Sequence, residues 1–147
     1  GMYRVLGDFY PAGATPQLNA RTVFVPGDPP APVQLTRDYT TKAGDNMRVS
    51  METIPEQAIA GNRTQLRFRF DPGDGLQQYL GAWAHMLAAS TDLIDMIHQH
   101  PYRVDDGPMV EFEMVFPRPL AYRVWVQFQR LGVVNTVQFD VPVTLSE

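Results

Sequence analysis

Hydrophobic and polar positions alternate most regularly in the second half of the chain. Val110, Phe112, Met114 and Phe116 are separated by Glu111, Glu113 and Val115. This period of two predicts a strand with one buried face, and Pro117-Arg118-Pro119 ends it. Tyr122, Val124, Val126 and Phe128 then alternate with Arg123, Trp125, Gln127 and Gln129, and a turn at Leu131-Gly132 leads to Val137, Phe139, Val141 and Val143. Pro142 implies that the far end of that last strand lies at an edge or leaves the sheet. Upstream, Met47, Val49 and Met51 form one alternating set, and Leu66, Phe68 and Phe70 form another around Arg67 and Arg69. Asp71-Pro72-Gly73-Asp74-Gly75 is a turn or loop. Residues 82–89 read as a further strand, with a helix as the alternative. Ser90-Thr91-Asp92 has the residue types of a helix N-cap, so residues 91–97 are expected to make one or two helical turns.

Six strands between about residues 46 and 143, with a helical crossover between the third and fourth, predict an all-β fold. The expected form is an immunoglobulin-like two-sheet sandwich over residues 46–147. In that order strands one, two and four share a sheet, and strands three, five and six share the other. Arg67 and Arg69 would then neighbour Glu111 and Glu113 on an outward face. Such cross-strand pairs contribute about 0.2–1 kcal/mol each, and this structural role removes the carboxylates from consideration as a catalytic pair.

Residues 3–13 repeat the pattern of residues 122–132. Tyr, Arg, Val, Phe and Gly coincide, and Leu18, Ala20, Thr22 and Phe24 match Val137, Phe139, Val141 and Val143. Residues 1–25 therefore read as a β-hairpin resembling the last two strands of a preceding repeat, and residues 26–45, rich in Pro and Gly, as a linker. A lone hairpin is marginal in water. Its open edge favours self-association or a protein partner.

Composition narrows the function. Charged residues make up 19% of the chain, below the share of about 25% usual in soluble domains, which suits a sheet-rich fold. The net charge of -4 offers no basic surplus for phosphates, so nucleic acid is not an expected partner. With no cysteine, disulfides, thiolate metal sites and cysteine nucleophiles are all excluded. No apolar run approaches the roughly 20 residues of a membrane-spanning helix. Gly1 before Met2 resembles the scar of a cleaved tag, so the lack of a leader assigns no compartment. Gly-x-Ser-x-Gly, phosphate-loop and His-Glu-x-x-His patterns are missing, and the sequence reads as non-catalytic.

One segment carries candidate chemistry. All three histidines, His85, His98 and His100, fall within sixteen residues, beside Met86 and Met96. Imidazole nitrogen and thioether sulfur together suit copper, or another soft or borderline metal. In extended chain His98 and His100 point to the same side. A metal site requires the three imidazoles to converge; the structural alternative is that His85 is a hydrogen-bonded, half-buried residue, that His98 and His100 shape the turn before Pro101, and that the Met residues fill core gaps. Asp92 and Asp95 read as capping or solvent-facing residues, with a ligand role for Asp95 as the secondary alternative. Trp125 should face outward on the sheet that also carries Trp83, as a contact surface or one covered by residues 1–45.

The segments Gly81-xxx-His85, Asp92-Leu93-xx-Asp95, His98-x-His100-Pro101 and Phe116-Pro117-x-Pro119-x-Ala121-Tyr122-Arg123-Val124-Trp125-Val126-Gln127-Phe128 resemble secreted bacterial domains of the YtkA-like kind. Asp8-Phe9-Tyr10-Pro11-x-Gly13 resembles a segment that precedes such domains. The resemblance implies an immunoglobulin-like sandwich in an exported protein, periplasmic or extracellular, and some such domains occur beside copper-handling proteins. Ala121 departs from the Gly usual before the Tyr. The expectation is a non-catalytic binding or structural module of an exported protein; the alternative is copper binding through His85, His98 and His100 with Met86 and Met96.

Overall fold

A computed structural model describes all residues except 10, 16, 30, 32, 105–108 and 147. Tyr10, quoted above for the resemblance, and Pro30 of the linker lie outside the described residues. The chain divides into two compact units, Gly1–Val33 and Gln34–Glu147.

The first unit is an antiparallel hairpin of β1 (Met2–Phe9) and β2 (Gln17–Phe24). Gly13, with φ of 75°, sits in the loop between them. Tyr3 pairs with Val23, whereas its sequence counterpart Tyr122 pairs with Val141, the counterpart of Thr22. The two hairpins share a sequence pattern but not a pairing register.

The second unit contains β3 (Lys42–Ala43), β4 (Arg48–Ile54), β5 (Ala58–Ile59), β6 (Arg63–Asp71), β7 (Leu76–Gln77), β8 (His85–Ser90), β9 (Met96–Gln99), β10 (Arg103–Val104), β11 (Met109–Val115), β12 (Ala121–Arg130) and β13 (Val133–Thr144). One sheet runs β10-β11-β6-β4-β3. The other runs β5-β13-β12-β8-β9, with β7 also paired to β12. β4, β6 and β11 thus share one sheet and β8, β12 and β13 the other, the grouping that an immunoglobulin strand order implies. Lys42–Ala43, within the stretch read as linker, pairs with β4, and Asp38 bridges to Asp140.

The expected immunoglobulin-like two-sheet sandwich with a helical crossover needs correction. The chain is all-β, its strands lie in three sheets, and no described residue is helical. Where helical turns were expected, Met96, Ile97 and His98 pair with Ala89, Ala88 and Leu87. Asp92 Oδ1 accepts from the Ser90 hydroxyl at 2.6 Å and from the Ile94 N–H at 3.2 Å, and Leu93 adopts φ of 57°. The Ser-Thr-Asp signal therefore closes a hairpin turn, because the side chains that cap helices also bond to turn backbone.

Strict alternation builds the core. On β12 every second residue from Tyr122 to Arg130 is buried. The two larger sheets meet through Phe68, whose ring lies 5.7 Å from that of Phe139, and Phe70, 4.6 Å from Phe128. Arg67 pairs directly with Glu111 on β11 and bonds it at 2.7 Å, while also reaching Glu52 at 2.8 Å. Arg69 instead faces Met109, and Glu113 pairs with Arg63. Glu111 is not outward as expected. It is buried and also accepts from the Tyr102 hydroxyl at 2.8 Å, since β10 adds a further strand beyond β11.

Candidate metal centre

The three histidines come together on the outer face of the β5-β13-β12-β8-β9 sheet. Strand alternation sends His85 and Leu87 outward and Met86 and Ala88 into the core. Pairing sets His85 beside Gln127 of β12 and His98 beside Leu87. His100 follows β9 and comes back against His85. Its Nε2 lies 3.0 Å from His85 Nδ1 and 3.2 Å from His98 Nε2. One ring nitrogen from each residue lies within 4.8 Å of the others.

The rings stand nearly perpendicular to one another, at 80–84°, with centroids 4.8, 4.9 and 5.8 Å apart. Four-coordinate zinc with bonds of about 2.0–2.1 Å requires nitrogen–nitrogen separations of about 3.3 Å. The two short separations are close to that value, and the third lies within the 4.8 Å bound. His85 and His98 are half-buried and His100 is exposed. An ion there would have one side held by the sheet and another reachable from solvent.

His85 Nε2 also lies 2.8 Å from the carbonyl oxygen of Tyr79. Metal-bound imidazoles commonly engage their second ring nitrogen with such an acceptor. Side-chain motifs gave no pointer to Tyr79, because it acts through its backbone; the only sequence signal is the following Gly81.

The methionines do not share this arrangement. Met86 is 1% exposed and belongs to the core on the opposite face from His85. Met96 lies on the same outer face as His98 but one row along, opposite Ala89. Adjacent strand residues point to opposite faces, so His85 and Met86 cannot both face one ion without disrupting β8.

Asp92 and Asp95 lie in the β8–β9 turn, at the other end of the hairpin from His85 and His100. Arg118 binds both, reaching Asp92 at 2.7 and 2.9 Å and Asp95 at 2.8 Å. The Tyr122 hydroxyl donates to Asp95 at 2.7 Å. Hydrogen bonds from Arg118 and Ser90 hold the Asp92 carboxyl well below the usual range. Burial, with the Asp95 carboxylate beside it, pushes the Tyr122 phenol up to about 12. These groups form a structural lock on the turn.

Trp125 is half-buried on the outer face, between Leu87 and Gln138. It lines a shallow groove with Lys42, Ala43, Thr136, Val137 and Gln138.

A family model described as a domain of unknown function (DUF8832) matches residues 40–144, more than two thirds of the chain. The chain belongs to that family. The matched span includes all three histidines and every strand from β3 to β13. Neither the curated proteins nor the solved structures yield a match.

Proposed function

We propose that this domain binds a divalent transition-metal ion, copper or zinc, through His85, His98 and His100, as a non-catalytic module of an exported protein. The convergence of three ring nitrogens within 4.8 Å carries the reading. Three neutral imidazoles without a thiolate or a facing thioether suit Cu(II) and Zn(II) better than Cu(I). With Met86 in the core, the copper reading moves from a mixed His/Met site to an imidazole site. The exported setting is supported by the resemblance to secreted YtkA-like domains.

Calorimetric titration of Cu(II) and Zn(II) into the wild type and a His98→Ala/His100→Ala variant tests the reading. The expected result is one ion per chain in the wild type and loss of that step in the variant. Equal, negligible heats in both would remove the metal function and leave the histidines a structural role.

A second reading concerns the first unit. Met2, Tyr3, Val5, Phe9, Val23 and Phe24 are all exposed on the β1–β2 hairpin, Met2 by 75% and Phe24 by 70%. A two-stranded ribbon with uncovered apolar side chains and open edges invites pairing. The occupant proposed is the same hairpin of a second copy. Sedimentation of the full chain should show a dimer that a 34–147 chain does not form; a monomer at all concentrations in both contradicts it.

A further inference from the structure

We propose that the two-residue turn Leu80-Gly81 is a positioning device for the metal site, presenting the Tyr79 carbonyl to His85 so that this ligand binds through Nδ1. The proposal rests on the metal reading above and specifies the donor atom and what holds it.

Tyr79 and Ala82 form an isolated antiparallel bridge with reciprocal hydrogen bonds of 2.8 and 3.1 Å. The two residues between them both have positive φ, 49° at Leu80 and 83° at Gly81. That is the pattern of a type I′ turn, for which Asn-Gly is the favoured pair. Glycine at the second position meets the requirement, but leucine at the first does not: a branched, non-glycine residue in the left-handed region is uncommon. Leu80 gains no burial in return, being 75% exposed. Leu131-Gly132, between β12 and β13, has the same pair of positive φ values, 48° and 79°, with Leu131 60% exposed, so what sets Leu80-Gly81 apart is the Tyr79 carbonyl that it aims at His85.

The partner of that role is His85. A carbonyl oxygen only accepts, so the ring nitrogen 2.8 Å from Tyr79 O must carry the proton. In the neutral ring this leaves the lone pair on Nδ1, the atom facing His100 Nε2 at 3.0 Å. The Tyr79 ring also stands edge-on to the His85 ring, at 6.1 Å and 88°. Ala84, fully buried, anchors the chain between the turn and the ligand. The site would bind its ion by Nδ1 of His85 and Nε2 of His98 and His100, with the tautomer of His85 set before the metal arrives.

Zn(II) affinity by chelator competition, together with long-range proton–nitrogen NMR of the imidazoles, tests the proposal. Leu80→Pro forces a negative φ and breaks the turn; Leu80→Asn keeps the left-handed conformation. Leu80→Pro should weaken Zn(II) binding by roughly 10–100-fold, the usual cost of losing a partner behind a ligand, whereas Leu80→Asn should bind at least as tightly as the wild type. In the metal-free wild type the His85 proton should be on Nε2, and its Nδ1 resonance should move on loading. Zn(II) binding by Leu80→Pro within about twofold of the wild type, or a His85 proton on Nδ1, would overturn the proposal. If Leu80→Pro does not fold, the wild-type tautomer and Leu80→Asn still decide it. Failure of the wild type to bind Zn(II) would instead overturn the underlying metal reading, and the metal-free tautomer reports on the turn separately.

Discussion

The same substitution at two neighbouring threonines should change stability in opposite directions. Thr64 on β6 is fully buried, and its hydroxyl has no hydrogen-bond partner among the described residues. Thr53 on β4 is 6% exposed, but its hydroxyl donates to the Glu56 carbonyl at 2.8 Å. Valine has nearly the shape of threonine. Replacing an unsatisfied buried hydroxyl removes a desolvation cost of about 1–3 kcal/mol and adds a buried methyl group. Strain at the new contact takes back part of that gain, so Thr64→Val should stabilise by about 1–2 kcal/mol. In Thr53→Val a satisfied hydrogen bond is lost and the Glu56 carbonyl is left short of a donor, for a loss of about 1 kcal/mol. For a unit of this size each kcal/mol moves Tm by about 4 °C. Urea denaturation at fixed pH, with midpoints compared at unchanged slope, is the assay. Destabilisation of Thr64→Val by more than about 0.5 kcal/mol would refute the reasoning, because it would mean that the hydroxyl forms a bond in solution.

Further outcomes follow from the packing and charges. A Cβ at Gly44 would lie 2.5 Å from Asn135 Oδ1, which is held by the Asn46 N–H at 3.1 Å, so Gly44→Ala should destabilise by about 1–3 kcal/mol in the same urea assay. Phe68, fully buried against Phe112 and Phe139, should cost about 3–5 kcal/mol as Phe68→Ala. Asp38 is lowered from 3.8 to about 2 by hydrogen bonds from Lys42 and Thr40, and Asp92 is lowered by Arg118 and Ser90. A carboxylate whose pKa is depressed by folding contributes above its unfolded value and loses that contribution as the pH falls towards the folded one. Stability should therefore be level from neutral pH to about 4 and decline towards about 2, with a shallower decline in Asp92→Asn. If Zn(II) at about 100 times its Kd raises stability by about 2.7 kcal/mol, as linkage requires, thermal melts of His98→Ala should show none of that gain.

The strands were legible because apolar side chains recur with a period of two, and that period also fixes faces. The partition of β4, β6 and β11 from β8, β12 and β13 came instead from the immunoglobulin strand order assumed for them, and Arg67 beside Glu111 followed from that order together with the alternation. Arg69 and Glu113 were not legible as a non-pair, since register is set by where each strand begins and the sequence pattern repeats every second residue. The helical crossover was misread because Ser90 and Asp92 have the chemistry of both a cap and a turn; only the pairing of Met96 to His98 with β8 separates the two. At the candidate site, the spacing of His98 and His100 correctly placed them on one side, while the return of His85 depended on β8 and β9 pairing. Met86 was grouped with the histidines by proximity in sequence, against the alternation that sends it into the core. Tyr79 carried no side-chain signal, because its contribution is a carbonyl oriented by two left-handed residues.

The most direct test of the metal reading is anomalous diffraction at the zinc edge from crystals of the Zn(II)-loaded protein. A single peak about 2.0–2.1 Å from each of His85 Nδ1, His98 Nε2 and His100 Nε2 is the predicted result. Well-ordered imidazoles with no anomalous peak between them, or with the ion held at another site, would contradict it.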